Sequence, residues 1–148
     1  MSDPGHEPSV RLRVPGEHRY LALVRSVVVA LAEESGFQDQ EVDKIEMSVD
    51  EACTNVMDHA YDHLARRRPV EVEIRVADGR FVVDVKDEGK AFDFNAYVPP
   101  KFPEHWMSGH LRGVGLYLIR TFMDDAKYEK LPGNVNCLRL VKNLPRVA

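Results

Sequence analysis

Three short stretches of this chain combine residue types and spacings that suit chemistry. Asp50-Glu51-Ala52-Cys53-Thr54-Asn55 sets a carboxylate and an amide four positions apart, and Asp87-Glu88-Gly89 closes an alternating apolar run with a carboxylate. Gly109-His110-Leu111-Arg112-Gly113-Val114-Gly115-Leu116 spaces glycines ahead of an apolar periodic segment. On a helix, residues four apart project from one face, so Glu51 and Asn55 address the same neighbourhood. An amide oxygen ligates Mg2+ without neutralising it, and a carboxylate accepts a proton from a hydroxyl. Backbone N–H groups at a glycine-rich helix start hold anionic phosphate through hydrogen bonds and the helix dipole. Each stretch alone has a plainer reading: a solvated surface pair, a turn cap, a hinge. Their order and spacing together point to a nucleotide.

The glycine segment is neither of the two common phosphate motifs. No Gly-Lys-Ser/Thr follows it, so it is not a P-loop. It also lacks the third glycine and the leading strand of a dinucleotide fingerprint.

The elements that must position these residues follow from periodicity. Val10 to Val14 alternates and reads as a short strand closed by Pro15-Gly16. Leu21, Val24, Val28, Leu31 and Ala32 recur at helical spacing from Tyr20 to Ser35, with Gly36 as the stop. A second helix is expected from an Asp39 N-cap to about Arg66, with Val42, Ile45, Val49, Ala52 and Val56 on its apolar stripe. Arg66-Arg67-Arg68 would complement its negative end. Val70 to Ala77 and Phe81 to Asp87 alternate around Asp78-Gly79, a hairpin signal. On that parity Phe81, Val83, Val85 and Asp87 point inward and Val82, Asp84 and Lys86 outward. An ionised carboxylate on a core-facing position is costly unless a donor meets it, so Asp87 either binds something or caps the turn that follows. Residues 93 to 108, with Pro99-Pro100, Pro103 and Trp106, lack a period and read as a long loop of the kind that forms lids. Leu116, Ile119, Phe122 and Met123 then recur helically, and Ala126 to Lys130 and Val135 to Lys142 form a terminal hairpin around Leu131-Pro132-Gly133-Asn134.

Composition narrows the classes. The chain has 148 residues, which suits a single domain over residues 10–148 behind a loose tail over 1–9. Its net charge of −4 and single basic run argue against direct nucleic-acid binding. Cys53 and Cys137 show no paired spacing, and neither a signal peptide nor a membrane-spanning run accompanies them, which fits a reducing cytoplasm and no membrane partner. His59 and His63 have metal-ligand spacing but no third ligand, and Cys53 reads as a packing residue.

The ordered set Glu51/Asn55, Asp87/Gly89 and Gly113/Gly115 resembles the three boxes of the gyrase, Hsp90, histidine-kinase and MutL ATP-binding superfamily. Within it the chain resembles the bacterial anti-sigma-factor serine/threonine-protein kinases, most clearly over Ser48 to Tyr61 and Gly113 to Asp124. The resemblance implies an α/β fold, a two-layer sandwich with a mixed, mostly antiparallel sheet covered on one face by three helices. It implies that Glu51 activates the attacking hydroxyl, that Asn55 holds Mg2+ on the ATP phosphates and that Asp87 accepts the adenine amino group. Gly89 would let backbone approach the base. Gly113, Gly115 and the adjoining Leu116 would lie against the phosphates, with Arg112 as a further contact, while residues 94 to 112 close as the lid. Two positions depart from the family pattern: Ala91 stands near where a second glycine is usual, and Asn136 substitutes for the Gly-Thr or Gly-Asn pair of the terminal strand.

The implied function is an ATP- and Mg2+-dependent kinase that phosphorylates a serine on an anti-sigma-factor antagonist, sequesters an RNA polymerase sigma factor and forms a homodimer. Positioning, a metal and one base suffice for such a transfer. The alternative is a nucleotide-sensing module that sequesters a regulatory partner without phosphorylating anything; it would need Asp87 and the glycines but not Glu51. A histidine-directed kinase is disfavoured because no dimerisation helix bearing a phosphoacceptor is attached to the sequence.

Overall fold

The computed structural model of the chain describes residues 7–60, 68–89 and 111–146. Strand β1 (Ser9–Pro15) leads through a 3-10 turn (His18–Tyr20) into helix α1 (Leu21–Glu34), and helix α2 (Asp39–Asn55) widens into a π turn (Val56–Ala60). Strands β2 (Pro69–Ala77) and β3 (Arg80–Asp87) follow, then helix α3 (Leu111–Phe122) and strands β4 (Asp125–Leu131) and β5 (Val135–Asn143). The strands form one five-stranded sheet in the order β1-β2-β3-β5-β4. Every pairing is antiparallel, so the α/β sandwich is as expected while no parallel pair of a mixed sheet occurs among the described residues. Two of the four pairings are tight hairpins, which suit antiparallel neighbours only.

Local chemistry accounts for the boundaries. Helix α1 ends in a Schellman motif: Gly36 takes φ +92°, its N–H bonds the Glu33 carbonyl at 3.0 Å, and the Phe37 N–H bonds the Ala32 carbonyl at 3.4 Å. The chain then drops Phe37 into the core, edge-on to Phe81 with ring centroids 5.7 Å apart. At the start of α2 the N-cap is Gln38, without a side-chain cap bond, and Asp39 is the first helical residue; Asp39 and Glu41 instead complement the positive helix end. The Asp78-Gly79 turn has positive φ at both residues, +54° and +74°, as a type I′ hairpin requires. The α-helical part of α2 stops at Asn55, short of Arg66, and residues 61–67 lie outside those described. Arg68 donates to the Glu88 carbonyl at 3.1 Å, so its polar contact is with the end of β3.

The core lies between the helices and one sheet face. Val24 and Val28 of α1, Ile45, Val49 and Ala52 of α2 and Ile119 of α3 meet Val72, Phe81, Val83 and Leu140 of the sheet. Each large side chain so buried contributes about 1.5–3 kcal/mol.

The opposite sheet face corrects the alternating reading in one respect. Val82 and Asp84 point away from the helices as expected, yet they are 3% and 1% exposed. The register sets Asp84 opposite Glu73 and Arg139. Arg139 Nε and Nη2 donate to Asp84 at 2.8 and 3.1 Å, and Arg75 Nη1 donates at 2.9 Å. Glu73 in turn accepts from Arg11 at 2.6 Å. Long guanidinium side chains thus lie across strands with no helix above them among the described residues, and they cover what the strand pattern alone would leave in water.

Candidate functional site

Asp87 is the last residue of β3, on the same face as Val83 and Val85, and is 6% exposed. Its register partner on β5 is Asn136. Asn136 Nδ2 donates to Asp87 Oδ1 at 3.0 Å and to the Gly89 carbonyl at 2.9 Å, while the Gly89 N–H donates to the same Asp87 oxygen at 2.8 Å. Asp87 therefore does cap the turn after β3, and it does so through one oxygen. Both groups that Asn136 Nδ2 meets are acceptors, which fixes the amide orientation and turns Asn136 Oδ1 the other way. That Oδ1 is buried and has no hydrogen-bond partner among the described residues. Burial pushes the Asp87 carboxyl above its ordinary range, and the bonds from Asn136 and Gly89 offset only part of that. The end of β3 thus holds a buried acid of raised proton affinity beside an amide oxygen that has no partner among the described residues.

The second cluster sits where α2 packs against α3. Glu51 and Asn55 are both half-buried on α2. The Glu51 carboxylate lies directly against Gly115 of α3: a Cβ built on Gly115 would overlap Glu51 Oε2 and stand 3.3 Å from Cδ. Burial raises the Glu51 carboxyl above the ordinary glutamate range, and the nearby charges of Asp50 and Asp58 add to it. Those two neighbours are themselves tied down, Asp50 by Arg25 at 2.7 Å and Asp58 by His18 at 2.6 Å.

The glycines divide by position. The described part of helix α3 begins at Leu111, and Gly113 lies in its first turn. Gly115 lies beyond it, where the N–H ordinarily bonds back to residue 111. The Leu116 side chain is half-buried and packs against the core. The Arg112 side chain, Ala91, Trp106, Gly109 and the rest of residues 94–110 of the lid expected over 94–112 lie outside the described residues, as do His63 and the His59 side chain.

Residues 14–142 match the model of a family described as the histidine kinase-like ATPase domain. The chain belongs to that family. Among curated proteins it is 31% identical to the serine-protein kinase RsbW of Bacillus velezensis over 128 residues, covering 84% of this chain and 79% of the relative. The serine-protein kinase RsbW of Bacillus subtilis is 30% identical with the same coverage. Among solved structures, the RsbU and RsbW domains of a Mycobacterium tuberculosis protein superpose with a TM-score of 0.65 at 15% identity, over 95% of this chain and 33% of that one. A histidine kinase domain from Erythrobacter litoralis superposes with a TM-score of 0.53 at 16% identity, over 88% of this chain and 62% of that one. These two likenesses are of fold; this chain spans a third of the first.

Within this histidine kinase-like ATPase fold, Asn136 is the residue that sequence reasoning carried only as a substitute. Its signal was available, since an amide among Leu138 and Leu140 on an inward strand face is the same anomaly that marks Asp87. Asp58 follows Glu51 and Asn55 on one line at four- and three-residue steps in the sequence, and its charge acts on Glu51. Both cysteines are buried, and burial pushes the Cys53 thiol up to about 12 and Cys137 likewise to about 12, which suits packing residues. Among the described residues no three His, Cys, Asp or Glu side chains gather as a metal-binding group. A cleft of about 330 Å3 lined by Arg13, Glu71, Lys86, Leu131 and Pro132 also touches Asp87, but it lies largely on the helix-free sheet face, away from Glu51 and Gly115. No helix among the described residues is long and apolar enough to cross a membrane.

Proposed function

We propose that this chain is an ATP- and Mg2+-dependent serine-protein kinase that phosphorylates an anti-sigma-factor antagonist and sequesters an RNA polymerase sigma factor. The carrying observation is Glu51, a half-buried carboxylate of raised proton affinity held at a helix interface in a family of ATPase domains. The names of the Bacillus relatives support the kinase and the serine acceptor.

The adenine amino group supplies two donors, and the site offers two acceptors for them, Asp87 and the buried Asn136 Oδ1. Gly89 would let the backbone approach the base, and Gly113 and Gly115 would lie against the phosphates, with Arg112 as an additional cation. Asn55 is a neutral oxygen ligand for Mg2+, which needs little more from protein when phosphates and water complete its shell. Bound there, the metal would neutralise charge on the phosphoryl oxygens. Glu51 accepts the proton of the incoming serine hydroxyl as the serine oxygen bonds to the γ-phosphorus and the bond to the ADP oxygen breaks. A net charge of −4 favours protein partners over nucleic acid, and a homodimer acting in the cytoplasm completes the reading.

Glu51→Gln tests it. Phosphate transfer to a serine substrate should be lost with ATP binding intact. Wild-type binding of ATP with no transfer to any antagonist protein would favour the alternative, a nucleotide-sensing module that only sequesters.

A further inference from the structure

Three carboxylates stand close together on α2 and the π turn that follows it: Asp50, Glu51 and Asp58. Their partners are unequal. Asp50 Oδ1 accepts from Arg25 Nη1 of α1 at 2.7 Å, and Asp58 Oδ1 lies 2.6 Å from His18 Nε2 of the 3-10 turn. A carboxylate only accepts, so the ring N–H of His18 is the donor. Glu51 has no hydrogen bond or ion pair of its own among the described residues. Both basic partners come from one stretch, residues 18 to 25, and they reach across 40 and 25 positions of sequence to the carboxylates that follow and precede Glu51. The charges acting on Glu51 among the described residues are those of Asp50 and Asp58, and its neighbour on α3 is Gly115, which has none.

We infer that His18 and Arg25 are positioning residues for the reaction, a clamp at the start of α1 that occupies Asp50 and Asp58 and leaves Glu51 as the one carboxylate of this segment free to take a proton. This rests on Glu51 being the base. Similar acids side by side take separate roles only when their surroundings differ, and here a second element supplies the difference. The clamp also has a graded effect. Each basic group lies against a charge that pushes the proton affinity of Glu51 up, so it offsets part of that push. The Arg25 guanidinium is permanently charged, and its pair is the more enclosed, with side chains 38% and 28% exposed against 51% and 41% for His18 and Asp58. Arg25 therefore offsets more than His18, because water screens the outer pair. The packing of α1 on α2 in this way reaches the base without touching it.

The experiment reads the Glu51 carboxyl itself, by carbon-13 NMR titration of the full chain without nucleotide, with Glu51→Gln identifying the resonance by its loss. Arg25→Gln should raise the titration midpoint by about half a pH unit, and His18→Ala should raise it by less. Arg25→Lys keeps the charge and should leave the midpoint in place. Asp50→Asn should lower it, and in that background Arg25→Gln should move it no further. A midpoint that stays or falls in Arg25→Gln or His18→Ala overturns the clamp. So does a shift by Arg25→Gln that survives Asp50→Asn, since the effect would then not pass through the carboxylate that Arg25 holds. Should Arg25→Gln fail to fold, the more exposed pair carries the same comparison, His18→Ala with and without Asp58→Asn. Glu51→Gln reports separately on the underlying reading: phosphate transfer at the wild-type rate in that variant removes Glu51 as the base, whatever the titration midpoints show.

Discussion

Asn136 and Asp87 face each other across the β3–β5 pair, and one amide bonds both the carboxylate, at 3.0 Å, and the carbonyl of Gly89, at 2.9 Å. This locks the end of β3 and its turn to the terminal hairpin. The same amide leaves its oxygen buried and without a partner among the described residues.

Replacing Asn136 with Ala should therefore act on two measurements. Asp87 loses a donor while buried, which costs about 1–3 kcal/mol of stability in denaturant titration. ATP affinity should fall as well, though less than in Asp87→Ala, where binding should be lost altogether. Unchanged affinity in both variants would remove the strand ends from the adenine site.

The raised Asp87 carboxyl gives ATP binding a pH dependence of definite sign. A buried acid whose folded pKa is raised favours the fold in its neutral form, and that contribution is lost as pH rises through the raised pKa. A hydrogen bond donated by the adenine amino group is stronger to the ionised carboxylate than to the neutral acid. Lowering the pH through the range just above ordinary aspartate should thus weaken ATP binding while the empty protein stays folded, as calorimetry and circular dichroism on the same samples would show.

As the proposed base, Glu51 should give the transfer rate a pH dependence of the same direction. Its carboxyl is raised by burial first and by Asp50 and Asp58 second, so transfer should decline as pH falls through a value above the ordinary glutamate range. Loss of a general base of this kind typically costs 10²–10⁴-fold, or about that much in Glu51→Gln, whose residual rate should have no acid limb at that pH.

Asp84 behaves oppositely. Burial alone would raise its carboxyl, but the Arg139 and Arg75 guanidiniums outweigh that and hold it below the ordinary aspartate range. Its stabilising contribution is present above the unfolded-state pKa and disappears as pH falls through the lowered one. Arg139→Ala removes two of the bonds to a carboxylate that is 2% exposed. Because the Arg139 side chain is itself 40% exposed, the loss is that of a solvent-screened pair, about 1–3 kcal/mol. Acid unfolding followed by circular dichroism should begin at higher pH in the variant.

Both thiols, with proton affinities pushed up to about 12, should resist alkylation at pH 8 in the folded protein and react in urea. Rapid labelling of Cys53 in the native state would contradict its placement in the core.

The periodic patterns of this chain specify its elements and their turns because they depend on interactions a few residues long. The positive φ at Asp78-Gly79, the glycine stop after α1 and the inward parity of Asp87 all follow from steric preference and strand alternation. The partners of those residues do not. Asn136 reaches Asp87 across 49 positions of sequence and Arg139 reaches Asp84 across 55, distances over which no local rule operates. Register between β3 and β5 brings them together, and it also buries Asp84 on a face the alternation assigns to water. Packing of α2 on α3 likewise seats Glu51 against Gly115, giving that glycine a neighbour that its place among other glycines in the sequence does not suggest.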